Sequence, residues 1–199
     1  METVQKLDLD LTKRYSYSDY YTWWDDVRRE LIDGYISEIP NPNRIHQQVS
    51  GALAVTILNY LKSKKIKNSK VFYAPFDVRL PENTNELSDN QIYNVVQPDI
   101  SVICDPTKLD ERGSIGVPDF IIEIVLMGNA KHDLKLKFEL YQKFGVREYW
   151  TVIPHEKLVY VFLLENNKYK QKGIYSDEDQ VKVNIFEDLV IDLKDVFEE

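Results

Sequence analysis

Two short apolar segments each carry one carboxylate where a core residue is expected, and this pattern most constrains the fold. Residues 120–126 are apolar except for Glu123. A near-continuous apolar run of this length is typical of a strand buried on both faces. Asp99 opens the other segment directly after Pro98, and a proline favours extended backbone at the residue before it. A buried carboxylate must be paired, hydrogen-bonded or bound to a metal, so both acids are candidates for a site.

A helix predicted over residues 133–145 carries a lysine in the same kind of position. At about 100° per residue, Lys137 projects near the middle of the apolar face rather than on the polar face. One interpretation is that its stem packs while its amine reaches water, which is usual near a helix end. Because Lys137 lies in mid-helix, the pattern favours a paired or functional lysine. The apolar face consists of Leu134, Leu136, Phe138, Leu140, Tyr141 and Phe144.

The rest of the chain is predicted to form short strands around one more long helix. Ser16 or Ser18 is predicted to cap a first helix that ends near Arg29. Asp33-Gly34 between two alternating apolar runs predicts a hairpin. His46 projects on the apolar face of a helix from Arg44 to about Ser63. Further strands are predicted at 71–80 (interrupted at Pro75), 97–104, 119–126 and 148–153, with a second hairpin at 158–164 and 169–174.

Composition excludes several classes of protein. The one cysteine, Cys104, rules out disulfide scaffolding within the chain and cysteine-based zinc sites. We find neither a run of about 18 apolar residues nor the apolar core of a signal peptide, so no membrane association and a cytoplasmic location are expected. A net charge of −8 counts against a large basic surface for nucleic acid, although local cations can still guide a phosphate backbone. At 199 residues, a single domain is expected.

Two carboxylates on neighbouring strands and a lysine from a helix suit phosphodiester hydrolysis. Hard cations such as Mg²⁺ or Mn²⁺ take oxygen ligands and keep several waters. Such an ion polarises a phosphoryl oxygen and activates water. A lysine beside it positions the attacking water or stabilises charge that builds on phosphorus. Asp99, Glu123 and Lys137 are therefore the predicted catalytic residues.

The chain also resembles a known group of proteins. Pro98-Asp99 followed by Glu123 is similar to the motif of the PD-(D/E)XK nuclease superfamily, and a wider set of segments resembles the Uma2 family of restriction-endonuclease-like proteins. These segments cover about residues 17–165. They are Glu30-Leu31-Ile32-Asp33-Gly34, His46-Gln47, Ala74 to Leu80, Gln97 to Val102, Pro118-Asp119 with Ile122-Glu123, Asp133 with Lys137, and Gly145 to Trp150.

The resemblance implies an α/β (α+β) fold with a restriction-endonuclease-like central mixed β-sheet flanked by helices, together with the N-terminal helix and hairpin. It implies a nuclease-like core at about 17–165 and a C-terminal β extension at about 157–199. It implies Asp99 and Glu123 as ligands of Mg²⁺ or Mn²⁺. The superfamily's usual lysine position, two residues after the acid, is Val125 here, so Lys137 replaces it from the following helix.

Three further residues match family positions, and each has a structural alternative. Glu30 is either another carboxylate on the metal side or the partner of a neighbouring arginine. His46 either orients water or phosphate, or is a helix-start residue that touches the core. Asp77 either supports the site or anchors its adjacent loop.

The sequence therefore predicts a metal-dependent endonuclease that acts on DNA. The family commonly has a serine three positions beyond the glutamate, whereas this chain has Leu126 followed by Met127. That departure and the acidic balance favour the alternative of a non-catalytic nucleic-acid-binding or assembly module that retains the fold. Trp23 and Trp24, if exposed, would suit a homodimer interface. A third hypothesis is a different phosphate-ester hydrolase on the same site.

Overall fold

A computed structural model describes residues 6–83, 88–125 and 130–198, with the backbone alone for residues 130–133. Leu126 and Met127, which stand where the family commonly has a serine, lie outside the described residues. In chain order the elements are α1 (Tyr17–Tyr20), β1 (Arg29–Ile32), β2 (Tyr35–Glu38), α2 (Arg44–Ser63), β3 (Lys70–Tyr73), β4 (Val78–Arg79), β5 (Val95–Val96), β6 (Ile100–Ile103), β7 (Leu109–Asp110), β8 (Gly113–Ile115), β9 (Phe120–Ile124), α3 (Ala130–Phe144), β10 (Glu148–Ile153), β11 (Leu158–Glu165), β12 (Lys168–Tyr175), β13 (Gln180–Lys182), β14 (Val190–Asp192) and α4 (Leu193–Phe197).

The chain forms two compact units. The first contains residues 1–41, 76–97 and 108–116, and the second contains residues 42–75, 98–107 and 117–199. The prediction of a single domain over residues 1–199, with its core and C-terminal extension, stays a prediction.

The first unit is built on a six-stranded sheet with the order β2-β1-β5-β4-β8-β7. The predicted hairpin is present as β1 and β2, and Asp33 and Gly34 both adopt positive φ in its turn. Gly113 is required at the start of β8, because an added Cβ would lie 2.2 Å from the carbonyl oxygen of Asp77. The core of this unit is formed by Tyr17, Leu31, Ile92 and Val95.

The predicted first helix is wrong in length, because α1 ends at Tyr20 rather than near Arg29. Of the two serines that could cap it, Ser16 does so, and Asp19 completes a capping box with the backbone N–H of Ser16. Beyond it, Trp23 packs against Tyr15 and Tyr20. Backbone hydrogen bonds continue as a turn as far as Trp23, whose N–H donates to the carbonyl of Tyr20 at 3.1 Å.

The second unit is built on a mixed sheet with the order β12-β11-β10-β9-β6-β3. Strands β9 and β10 are parallel, and the other neighbours are antiparallel. Helix α2, which has the predicted bounds, packs one face of this sheet through Val49, Leu53 and Ile57. Helix α3 contacts the other face, where Phe138 packs against Tyr149, Phe162 and Tyr169. The predicted mixed sheet with flanking helices is thus present in this unit.

The segment predicted as one strand over 71–80 forms two strands that pair with different partners. Strand β3 pairs with β6 in the second unit, whereas β4 pairs with β5 and β8 in the first. Pro75 lies between them and cannot donate a ladder hydrogen bond, which explains where the strand stops. No helix in the described part of the chain is both long and apolar enough to span a membrane.

Candidate active site

Asp99 and Glu123 meet at the end of the β6–β9 ladder in the second unit. Ile100 pairs with Ile122, so the antiparallel register, continued by one residue, sets Asp99 opposite Glu123. Residues opposite each other in such a ladder project from the same face, with Cβ atoms about 4.5–5.5 Å apart. The register therefore sets the two carboxylates predicted from the sequence next to each other at this end of the ladder.

Asp99 is held by two contacts that fix its carboxylate. Its Oδ2 accepts a hydrogen bond from the backbone N–H of Ile124 at 2.7 Å. Its Oδ1 lies 3.0 Å from Nε2 of His46. Each carboxylate oxygen has two lone pairs, so both oxygens retain acceptor capacity towards a cation.

His46 reaches Asp99 because of how α2 begins. Asn43 caps the helix by accepting a hydrogen bond from the backbone N–H of His46 at 2.9 Å. Nε2 faces Asp99, and Nδ1 is buried with no hydrogen-bond partner in the part of the chain that the structure describes. The sequence predicts His46 on the apolar face at the N-terminal end of this helix. His46 lies there, beside the carboxylate of Asp99.

Lys137 is buried against Glu123, as the apolar-face position predicted. Its Nζ lies 3.1 Å from Glu123 Oε1, and the two side chains are only 7% and 8% exposed. An ammonium at this depth requires a charged partner, which the strand carboxylate supplies. The alternative in which Lys137 simply extends into water is therefore wrong.

Tyr141 is a site residue that the sequence analysis placed only in the core. It lies one turn after Lys137 on α3, and its hydroxyl donates a hydrogen bond to the same Oε1 of Glu123 at 2.6 Å. Tyr141 is fully buried, and its ring packs against Tyr149. The i, i+4 spacing from an inward lysine was the signal available in the sequence. Thr151 also pairs with Glu123 across β10 and β9.

Val125 occupies the position where the superfamily motif has its lysine. It follows β9, and its N–H donates to the carbonyl of Val152 at 2.8 Å, which continues the ladder. Because Val125 is apolar, β9 supplies no positive charge at this position, and the lysine ammonium comes from α3. Lys137 of α3 lies beside Glu123, and its role as the motif lysine stays a prediction.

Glu30 and Asp77 lie in the first unit, where both bind Gln97. Oε1 of Glu30 accepts the backbone N–H of Gln97 at 2.7 Å. Oδ1 of Asp77 accepts from Nε2 of Gln97 at 2.9 Å and from the hydroxyl of Tyr20 at 3.2 Å. Burial raises the pKa of Asp77, against the opposing effect of these two hydrogen bonds. These contacts give both carboxylates a scaffold role, and their predicted supporting role stays a prediction.

The donor set fits a hard cation that keeps much of its water. Asp99 and Glu123 offer two carboxylates side by side, which is the ligand number that Mg²⁺ commonly takes from protein. Among the residues that the structure describes, no group of three or more His, Cys, Asp or Glu side chains is arranged to hold a metal ion. An ion here would therefore depend on water or substrate oxygens for its remaining positions.

The chain matches one protein family and is similar to solved structures. The sequence profile of the Uma2 family, described as "Putative restriction endonuclease", matches residues 17–194. Among solved structures, the chain is similar to the crystal structure of "a putative nuclease belonging to DUF820" from Anabaena variabilis ATCC 29413, with 20% identity, 92% of this chain and 97% of that chain covered, and a TM-score of 0.70. That likeness confirms the predicted fold class. No curated protein matches the chain.

Proposed function

The chain belongs to the Uma2 family, and we propose that it is a metal-dependent endonuclease that hydrolyses phosphodiester bonds in DNA. The observation that carries this proposal is the ion pair between Lys137 and Glu123, next to which the register of β6 and β9, continued by one residue, sets Asp99. Two adjacent carboxylates and one cation form a set that binds a divalent ion and stabilises added negative charge.

In this proposal Asp99 and Glu123 hold Mg²⁺ or Mn²⁺. A bound ion would supply Lewis-acid polarisation of the phosphate and a water of lowered pKa. Lys137 donates hydrogen bonds from its ammonium to the attacking water or to a non-bridging phosphate oxygen. His46 orients the Asp99 carboxylate through Nε2, and the backbone N–H of Ile124 holds the second oxygen. Because Glu123 and Lys137 are little exposed, water screens the electrostatic interactions of these two side chains only weakly.

The first test is metal binding and cleavage by the wild-type protein and by Asp99→Asn and Glu123→Gln. We expect the wild-type protein to bind Mn²⁺ in calorimetry and to cleave DNA in Mg²⁺ or Mn²⁺. Each substitution removes one ionised ligand, so the affinity for Mn²⁺ should fall by at least about tenfold. Absence of cleavage by the wild-type protein would refute the nuclease, and absence of Mn²⁺ binding would refute its dependence on a metal.

A second candidate is a non-catalytic binding or assembly module. It is favoured by the ion pair between Lys137 and Glu123, which satisfies both charges without a metal. Trp24 is 78% exposed and suits an interface between two copies, whereas Trp23 packs against its own unit. Under this alternative, an Asp99→Ala/Glu123→Ala protein would keep its behaviour in a functional assay. The third hypothesis, a hydrolase of a different phosphate ester on the same site, is distinguished from the DNA nuclease by assaying a panel of phosphate esters.

Tyr141→Phe should weaken metal binding while leaving the fold in place. The substitution keeps the ring that packs against Tyr149 and removes the hydroxyl that donates to Glu123. Groups that orient a ligand typically contribute about 10–100-fold to metal affinity, so we expect the dissociation constant for Mn²⁺ to rise about tenfold.

Tyr169→Phe is the matched control for this measurement. It removes a hydroxyl from the same aromatic cluster, but that hydroxyl donates to the carbonyl of Val146 at 2.9 Å. We expect it to lower thermal stability without changing Mn²⁺ affinity. Equal effects of the two substitutions on Mn²⁺ affinity would show that Tyr141 acts only through stability.

A further inference from the structure

A basic segment leads from the end of α2 into β3, the edge strand of the second unit's sheet. Five lysines fall between residues 62 and 70 in a chain whose net charge is −8. Lys64 is paired with Asp188. The other four are exposed and form no ion pair with any residue that the structure describes. They are Lys62, Lys65, Lys67 and Lys70.

The helix dipole does not account for most of this charge. Lys62 lies in the last turn of α2, where a cation is favoured by the partial negative charge of the helix end. That effect falls off within one turn. Lys67 lies past the end of the helix and Lys70 begins the next strand. Stabilisation of the helix end therefore does not account for the charges of Lys67 and Lys70.

Strand β3 carries this segment towards the candidate metal ligands. Lys70 pairs with Ile103 and Tyr73 pairs with Ile100, so the strand runs towards the end of β6 that adjoins Asp99. The next residue, Ala74, donates its N–H to the carbonyl of Asp99 at 3.2 Å. Three strand residues span about 10 Å, which is the axial rise of about three nucleotides.

Tyr73 lies at the end of this path and is 66% exposed. Exposed aromatic side chains stack bases of single-stranded nucleic acid, while lysines along the same groove contact its phosphates. Lys70 and Tyr73 are three residues apart and project from opposite faces of β3. A ligand that reaches both must therefore follow the edge of the sheet, and β3 pairs on its outer side with no strand in the described residues.

We propose that Lys65, Lys67, Lys70 and Tyr73 bind one unpaired strand of DNA along this edge and direct it to Asp99 and Glu123. The lysines contact successive phosphates, and Tyr73 stacks on a base beside the phosphate to be cut. This inference rests on the proposed nuclease function and specifies its substrate. It assigns the enzyme to DNA that is single-stranded, or unpaired at the cut.

The test measures binding without metal, so that it does not depend on cleavage. A short labelled oligonucleotide and the matching duplex are titrated in EDTA and followed by fluorescence anisotropy over a range of salt. We expect the wild-type protein to prefer the single strand. Lys67→Gln/Lys70→Gln should bind it at least about tenfold more weakly, and the slope of log K against log salt should shrink by about 0.7 for each lost contact.

The matched control is Lys168→Gln/Lys172→Gln. It makes the same change in net charge with exposed lysines of β12, at the opposite edge of the same sheet. We expect it to bind like the wild-type protein. Tyr73→Ala should weaken binding about tenfold with the salt slope unchanged, and Tyr73→Phe should bind normally because it keeps the ring.

The outcomes separate this inference from the proposed function. Equal binding by the β3 and β12 variants, a preference for duplex, or no effect of Tyr73→Ala would overturn the β3 path. Cleavage by the wild-type protein would still support the nuclease in those cases. Conversely, single-strand binding that depends on Lys67, Lys70 and Tyr73 without any cleavage would keep the path and refute the nuclease.

Discussion

Replacing Lys137 with methionine is expected to lower the rate of DNA cleavage by about 10²–10³-fold, because one preorganised charge is lost from the transition state. Methionine keeps the apolar stem packed among the side chains of α3 and the sheet. Nζ of Lys137 lies 3.1 Å from a proposed metal ligand, Oε1 of Glu123. Its removal also takes a positive charge away from the ion, so Mn²⁺ should bind at least as tightly as in the wild-type protein. Single-turnover cleavage and calorimetry measure the two quantities separately.

Lys135→Met is the control for this experiment. Lys135 lies on the same helix, is 75% exposed, and its contact with Glu139 is long, at 3.8 Å. The substitution changes net charge equally and should leave cleavage within about twofold of wild type, since exposed pairs contribute little. If Lys137→Met cleaves at the wild-type rate, Lys137 serves only as the structural partner of Glu123. If it instead loses Mn²⁺ binding, the ion pair is needed to hold the carboxylate.

Charged residues at positions where the pattern predicts a buried apolar side chain were the most informative signal for the site. Glu123 and Lys137 each stand in an apolar pattern of a different period, one in a strand and one in a helix. A charge in such a position needs a partner, and each is the other's partner. Asp99 could be placed only as a strand entry, because its position opposite Glu123 depends on the register between two strands. The sequence does not encode that register locally.

Tyr141 was missed for a related reason. A tyrosine on an apolar helix face matches the hydrophobic pattern through its ring, and the pattern does not reveal where its hydroxyl points. The same limit explains α1. The aromatic residues after Tyr20 suit an amphipathic helix, yet Trp23 packs against Tyr15 and Tyr20 without extending the helix. Tertiary packing decides such segments, whereas α2 has strong periodicity and a cap at Asn43, so its bounds were predicted correctly.

Glu148→Ala is expected to cause the largest loss of stability among these substitutions. Glu148 is fully buried at the start of β10. Its Oε1 accepts from Nε1 of Trp150 at 2.8 Å and from Nδ2 of Asn184 at 3.0 Å, and its Oε2 accepts from the N–H of Ile185 at 2.9 Å. Alanine leaves three donors without their acceptor and opens a cavity. At about 1–3 kcal/mol for each unsatisfied group, we expect the free energy of unfolding to fall by about 3 kcal/mol or more.

The free energy of unfolding lost in Glu148→Ala should depend on pH, in a direction set by the pKa of Glu148. Burial raises this pKa, against the opposing hydrogen bonds from Asn184, Ile185 and Trp150. An acid whose pKa is higher in the folded state contributes fully to stability below its unfolded pKa, near about 4.3, and contributes less as pH rises through the folded value. The stability difference between wild type and Glu148→Ala should therefore be larger at pH 4 than at pH 8. Urea unfolding at both values measures it.

Glu165→Ala provides the control, and hydrogen exchange locates the effect. Glu165 is exposed at the end of β11 and pairs with Lys170 at 2.8 Å, so its loss should leave the stability close to that of the wild-type protein. In Glu148→Ala, amides of the segment from Val181 to Ile191 should exchange faster, because Asn184 and Ile185 lose their anchor on β10. Unchanged exchange there, or equal stability of the two variants, would show that packing of Phe186 and Leu189 against the core holds this segment without Glu148.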